Sequence, residues 1–325
     1  MSMAEQIELS RQPVCTAHHP ALLAWSQLRT MPVDPPKISV LKTRFKSTIY
    51  RIENLGPGGS SLVAKYCRRE VAAHERIIYE QILPNLPVSS PRYYGFVEGQ
   101  GDYDWLFLEY IDGEQYSRER QDHSALAGRW LGLLHSSGER AAATPLLPDL
   151  GPEHFFGQLR TARARLQGNF EHLNPPQEDL AVIETVIQQC NFLESHWDRI
   201  ERSCHQMPRT LVHGDFKPRN VVIRTSRDGP ALFPFDWEAS GCGVPAADLA
   251  YIDLIAYHEV IKCRWPGIKM QDLLAMKILG RIFRGLSEFF WESVKFDPNW
   301  EVSAVKLHYY QTRMAEAIGL ADWRK

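Results

Sequence analysis

The hydrophobic period of this chain turns from strand-like to helical near Asp112-Gly113, and that change restricts it to folds in which a β-rich segment precedes a mainly helical one. Between Ile38 and Tyr110 the apolar residues fall in short β-branched or aromatic runs: Ile38–Leu41, Thr48–Ile52, Ser61–Lys65, Arg92–Val97 and Trp105–Tyr110. The glycine-rich stretch Asn54–Gly59 between two of them reads as a hairpin turn, because no helix N-terminus follows it to make a phosphate cradle. One helix is expected in this half, Arg68–Leu83, with Val71, Ile78 and Ile82 on its apolar side and Pro84 and Pro87 as its stop. After Gly113 the spacing is helical. The predicted helices are His123–His135, Pro152–Leu166, Gln177–Cys204, Pro245–Lys262, Met270–Glu292 and Glu301–Ile318. A β island interrupts them at Thr210–Val212, Asn220–Ile223 and Leu232–Asp236. The first 37 residues carry five prolines and read as a leader with at most one short helix around Ala21–Leu28. The expected architecture is α+β and two-lobed: a leader (1–37), a small antiparallel sheet with one helix (38–111) and a larger, mainly helical lobe (112–325).

Length and composition fit that outline. A chain of 325 residues is longer than one core usually supports. With 11% aromatic residues it can bury a large core and is not disordered. A net charge of −2 gives no footprint for nucleic acid or an anionic membrane. The six cysteines, at 15, 67, 190, 204, 242 and 263, show neither CxxC spacing nor a disulfide ladder. No signal-peptide h-region and no apolar run of about 18 residues is present, so a cytoplasmic, membrane-free protein is the expectation.

Chemistry concentrates in Leu211-Val-His-Gly-Asp-Phe-Lys-Pro-Arg-Asn-Val-Val-Ile223. A strand ends at His213, a loop carries Asp215, and Asn220 opens the next strand. Another carboxylate, Asp236, stands at the end of a further strand. An acid, an amide and a second acid can thus surround one point without being sequence neighbours. Phosphoryl transfer uses that set: a carboxylate facing an acceptor hydroxyl, and oxygen ligands for Mg²⁺.

The pattern His-Gly-Asp-x-x-x-x-Asn followed by a strand-borne Asp resembles the catalytic core of the aminoglycoside phosphotransferase and choline kinase-like family, which has the protein-kinase-like fold. The likeness runs through most of residues 38–260. It implies that Asp215 is the catalytic base or acceptor-orienting acid and that Lys217 meets the γ-phosphate. Asn220 and Asp236 would hold Mg²⁺. Lys65 would reach the α- and β-phosphates, fixed by Glu75, with Glu70 as a competitor for that role. Ser47 and Thr48 would cap phosphate from the first hairpin. Glu109, Tyr110 and Ile111 would form the hinge beside the adenine of ATP, with GTP left open. His213, Asp248 and Glu238 would support the site. Two features depart from protein kinases: Thr43–Thr48 has no glycine, and the metal motif reads Asp-Trp-Glu.

The acceptor is expected to be a small molecule with a hydroxyl group. Only eleven residues separate Asp236 from Asp248 and no Ala-Pro-Glu follows, so a platform for an extended peptide has no room. Trp237, Asp253, Tyr257 and Glu259 are the expected acceptor-lining residues, with Tyr251, Glu288, Trp291 and Glu292 as further candidates. Carboxylates there suit a cationic alcohol such as an aminoglycoside, and an aromatic cage suits a quaternary ammonium. At helical spacing most of those aromatics equally suit core positions. A nucleotide-binding scaffold without turnover, or an atypical protein kinase, are the alternative readings.

Overall fold

The computed structural model describes residues 18–31, 36–44, 46–142, 144–173, 177–295 and 300–323. They group into two compact units, Met1–Tyr116 with Lys217–Glu238, and Ser117–Phe216 with Ala239–Lys325. The first unit thus takes back a segment that lies inside 112–325.

The first unit begins with helix α1 (Pro20–Ser26), started by Pro20 and capped by His19, whose Nδ1 accepts from the Ala21 N–H at 3.2 Å. A five-stranded antiparallel sheet follows, built from β1 (Ile38–Arg44), β2 (Ser47–Ile52), β3 (Leu62–Arg68), β4 (Tyr93–Val97) and β5 (Tyr103–Glu109) in the order β1-β2-β3-β5-β4. Alternation along these strands sends Ile38, Ile52, Leu62, Ala64, Val97, Trp105 and Phe107 into a core that α1 closes with Leu22 and Trp25. Helix α2 (Arg69–Ile77) leaves β3 directly. The predicted helix runs on to Leu83, but the α geometry ends at Ile77. A wider π-type turn, Ile78–Ile82, and a 3-10 turn at Leu83–Asn85 take over as Pro84 removes a backbone donor. The segment taken back forms a second sheet: the hairpin Val221–Ser226 and Gly229–Pro234, joined by β6 (Glu114–Gln115). Gly113 is needed where β6 arrives, since a Cβ there would stand 2.3 Å from the Ile223 carbonyl oxygen.

The second unit is helical: α3 (Gln121–Ser137), α4 (Glu139–Ala142), α5 (Pro152–Leu173), α6 (Gln177–Ser195), α7 (Trp197–His205), α8 (Ala246–Leu249), α9 (Leu254–Ile261), α10 (Met270–Lys295) and α11 (Trp300–Leu320). A three-stranded patch sits among them, with Gly241–Gly243 parallel to Asp149–Leu150 and antiparallel to Thr210–Val212. Two predicted helices are each divided. Gln177–Cys204 breaks at His196, whose φ of −115° is not helical and whose ring stacks on Phe192. Pro245–Lys262 breaks before Leu254 because Asp253, extended at ψ 108°, starts a new helix. Among the described residues no helix is long and apolar enough to cross a membrane.

Candidate active site

Lys65 occupies the middle of β3, opposite Ile49 on β2 and Leu106 on β5, with 6% of its surface exposed. Its ammonium lies 3.0 Å from Glu75 Oε1 and 2.8 Å from Asp236 Oδ1. Glu75 is buried on α2, whereas Glu70, one turn earlier, is exposed and faces Arg68. Burial alone would drive the Lys65 ammonium down; the facing carboxylates of Glu75 and Asp236 override it and hold lysine well above its usual range. Burial pushes the Glu75 carboxyl up, against the pull of Lys65. Cys67, two residues along the strand, is pushed up to about 12 by the same burial. One cation between two carboxylates leaves the group with one net negative charge, which a further cation would balance.

Asp236 is held in an unusual backbone state. Its φ is 68°, and Asn54 is the only other described non-glycine residue with positive φ. The hairpin fixes it there. Val221 pairs with Pro234, and the next N–H, of Phe235, donates to the Asn220 carbonyl at 2.9 Å, so Asn220 and Asp236 emerge from adjacent strand ends. Trp237, wholly buried, anchors the residue after Asp236. Asn220 itself is 1% exposed and closes a tight turn onto the Lys217 carbonyl at 2.9 Å. Among the described residues no three His, Cys, Asp or Glu side chains are grouped to hold a metal on their own. A carboxylate and an amide oxygen do fit Mg²⁺, which takes one or two protein oxygens and completes its shell with phosphate and water.

The loop before this turn belongs to the second unit and is built around Asp248. That side chain accepts from the His213 N–H at 2.7 Å and the Gly214 N–H at 2.9 Å, and lies 3.2 Å from His135 Nε2. His135 Nδ1 meets the Tyr257 hydroxyl at 3.0 Å, and Thr210 Oγ1 donates to the His135 carbonyl at 2.6 Å. Gly214 has φ 73°, and a Cβ there would sit 2.0 Å from the Ala239 carbonyl oxygen, so only glycine fits. This frame delivers Asp215, whose N–H donates to His213 Nδ1 at 3.4 Å and whose Oδ1 lies 3.4 Å from Arg284 of α10.

Other predicted site residues fall as follows. Ser47 and Thr48 open β2, half-buried, paired with Cys67 and Tyr66; Phe45 of that hairpin lies outside the described residues. Glu109 ends β5 with its carboxylate 2.6 Å from Arg224, Tyr110 carries the Arg51 guanidinium over its ring at 4.3 Å, and Ile111 is buried. Lys217 is half-buried and Glu238 exposed. Four acceptor expectations meet a different use. Tyr257 is completely buried on His135, and Trp237 is core. Asp253 caps α9 through the Ile255 and Ala256 N–H groups, and Glu259 lies on the surface paired with Lys262. Arg284 escaped the sequence reading, although its spacing from Lys277, Arg281 and Glu288 is legible as one helix face. Lys42 of β1 escaped it too; burial holds its ammonium below the usual range while Asp236 pulls it back up.

A family model described as the phosphotransferase enzyme family matches residues 40–258, two thirds of the chain. The chain belongs to that family. It is a phosphotransferase. Among solved structures it is similar to an ethanolamine kinase from Plasmodium vivax, at 14% identity and a TM-score of 0.59, over 88% of this chain and 82% of that one. It is similar to a spectinomycin phosphotransferase in complex with ADP and spectinomycin, at 11% and 0.57, over 94% and 100%. A GDP complex of a point mutant of an aminoglycoside 2'-phosphotransferase-IIIa matches at 13% and 0.62, over 90% and 96%. At these identities the likenesses show the fold. No curated protein sequence matches the chain. Within the phosphotransferase family match lie all the residues that build Lys65–Glu75–Asp236 and the Asp248 frame, whereas Arg284 lies beyond its end.

Proposed function

We propose that this phosphotransferase moves the γ-phosphoryl group of ATP, or of GTP, with Mg²⁺, to a hydroxyl of a small molecule. The observation that carries the reading is the buried Lys65 ammonium held between Glu75 and Asp236. A lysine is kept charged in a dry strand only where strong anions face it, and nucleotide phosphates are such anions. In this reading residues 38–111 serve the nucleotide and 112–325 carry the catalytic loop and the acceptor. Lys65 binds phosphate oxygens, positioned by Glu75. Asn220 and Asp236 hold the metal ion, which when bound neutralises phosphate charge. Lys217 approaches the γ-phosphate, and Ser47 and Thr48 of the glycine-free hairpin, with Lys42 nearby on β1, supply the donors that a glycine-rich loop gives elsewhere. Asp215 orients the acceptor hydroxyl and takes its proton. His213 and Asp248 set the loop on which Asp215 stands.

The test is ADP release by the purified chain against a panel of hydroxylated acceptors, with Asp215→Ala beside the wild type. Transfer is expected to fall by at least about 10³-fold while nucleotide affinity stays within a few-fold. Undiminished transfer in that variant refutes the role of Asp215. Nucleotide binding without ADP release from any acceptor favours the non-catalytic scaffold instead.

A further inference from the structure

The carboxylates expected to welcome a cationic acceptor all have other partners. Asp253 caps α9, Glu259 pairs with Lys262 on the surface, Glu288 lies 3.0 Å from Arg284, and Glu292 is buried 3.5 Å from Lys306. The same region instead collects positive charge. Tyr251, three residues after Asp248, is covered by three guanidinium groups: Arg118 at 4.2 Å, Arg313 at 4.5 Å and Arg281 at 5.7 Å from its ring centroid. A choline-type cage needs an open aromatic face, and the faces of Tyr251 already hold cations.

The cluster leads to Asp215. Lys277, Arg281 and Arg284 follow one another on α10 at spacings of four and three, so they share a face, with Arg281 and Lys277 about 4.5 and 10.5 Å along the axis from Arg284. Arg284 touches Asp215 Oδ1 at 3.4 Å. Arg281 donates to the Ala250 carbonyl and Lys277 to the Ile252 carbonyl. Among the described residues no carboxylate pairs with Lys277, Arg281 or Arg313, and all three are half-buried. Burial and then the neighbouring Arg281 hold the Lys277 ammonium below its usual range, with Asp253 opposing; burial does the same to Arg313, with Glu316 opposing. Half-buried like charges packed along one helix face repel each other, and a bound anion relieves that repulsion. Planar guanidinium groups are the side chains best matched to carboxylate or phosphate oxygens.

We infer that the acceptor carries, besides its hydroxyl, a carboxylate or phosphate group that binds Arg281, Arg284 and Arg313 beside Asp215. The inference rests on the proposed role of Asp215 and deepens it: the substrate is an anionic alcohol, such as a sugar acid or a sugar phosphate, and a polycationic antibiotic is repelled.

Two measurements test it separately from the reaction itself. Calorimetric titration of the full chain, with ADP at saturation and chloride at matched ionic strength as reference, uses gluconate and glycerol 3-phosphate as probes. Binding is expected in the wild type, weakened about tenfold or more in Arg281→Gln and in Arg313→Gln. It should be unchanged in Arg227→Gln, which removes the same charge from an exposed position in the other unit. The stronger probe tells carboxylate from phosphate. No binding above chloride, or equal loss in all three variants, overturns the site. ADP release is then compared for gluconate, glycerol 3-phosphate, glycerol, choline and kanamycin. Turnover confined to the anionic alcohols, with KM raised about tenfold and kcat little changed in Arg281→Gln, supports the inference. Turnover of kanamycin or choline but not of the anions overturns it and leaves the kinase reading standing. Anion binding that the arginine variants lose, with no ADP release from any acceptor, supports the anion site and counts against the proposed reaction.

Discussion

Removing the Asp248 side chain should cost both stability and activity, and the structure gives the size. The Asp248→Ala variant leaves the fully buried His213 N–H and the half-buried Gly214 N–H, now at 2.7 and 2.9 Å from the carboxyl oxygens, without their acceptors. A buried donor so abandoned costs about 1–3 kcal/mol, the half-buried Gly214 N–H stands at the low end of that range, and the buried His135 Nε2 loses its contact as well. The expected destabilisation is about 3–5 kcal/mol, a large part of the roughly 5–15 kcal/mol that holds a typical domain together. Urea unfolding followed by tryptophan fluorescence reads it as a lower midpoint with an unchanged slope. Because the same two amides fix the loop bearing Asp215, kcat should fall by one to two orders of magnitude in the folded fraction, with nucleotide affinity preserved. The double variant with His135→Ala should lose less than the sum of the single losses, since the two side chains share one network. A midpoint shift worth less than about 1 kcal/mol, or a normal kcat, would show that the loop keeps its shape without this carboxyl group.

Two further outcomes follow from charge and burial. Lys65→Met should abolish transfer and destabilise the first unit by about 3–5 kcal/mol, because Glu75 and Asp236 are left facing each other without a cation. That deficit should shrink as the pH falls, since the Glu75 carboxyl, already raised by burial, then takes up a proton; a pH-independent deficit contradicts the argument. The His19 imidazole is held below its usual value of 6.5 by burial, so its neutral form, the one that caps α1, is favoured in the folded chain. Its contribution is fully present above pH 6.5 and is lost as the pH falls through the lower folded value. Trp25 fluorescence should report loosening of α1 on that acid side, and His19→Asn, a cap that does not titrate, should remove the transition. An unchanged acid limb in His19→Asn rules the mechanism out.

What the sequence showed depended on how local the cause was. The strands of the first sheet were readable because each is a short alternating run closed by turn residues, and the meeting of Lys65 with Glu75 and Asp236 accords with the places that the motif resemblance implies for them. Helix interruptions were not readable. Asp253 restarts a helix by accepting from the Ile255 and Ala256 N–H groups, and His196 interrupts one with its ring on the Phe192 carbonyl, causes invisible in the period of apolar residues on either side. Two- and three-residue strands such as Glu114–Gln115 and Gly241–Gly243 carry no period at all; their pairing is decided by partners more than a hundred or about thirty residues away.

The acceptor face shows the same limit from the other side. Asp253, Tyr257 and Glu259 were attractive because their residue types suit a cationic ligand, but type does not say whether a side chain is already engaged. Each was engaged, by a helix N-terminus, a buried histidine and a surface lysine respectively. The opposite holds for α10. Nothing in the sequence separates Lys277, Arg281 and Arg284 from a solvated cationic stripe; the fold puts Tyr251 against Arg281, Arg313 on the same ring, and Asp215 beside Arg284. A charge on a helix acquires chemical meaning from what the other elements bring to it. If Asp215 has its proposed role, the half-buried arginines of this phosphotransferase bear on its acceptor more directly than the carboxylates nearer to hand in the sequence.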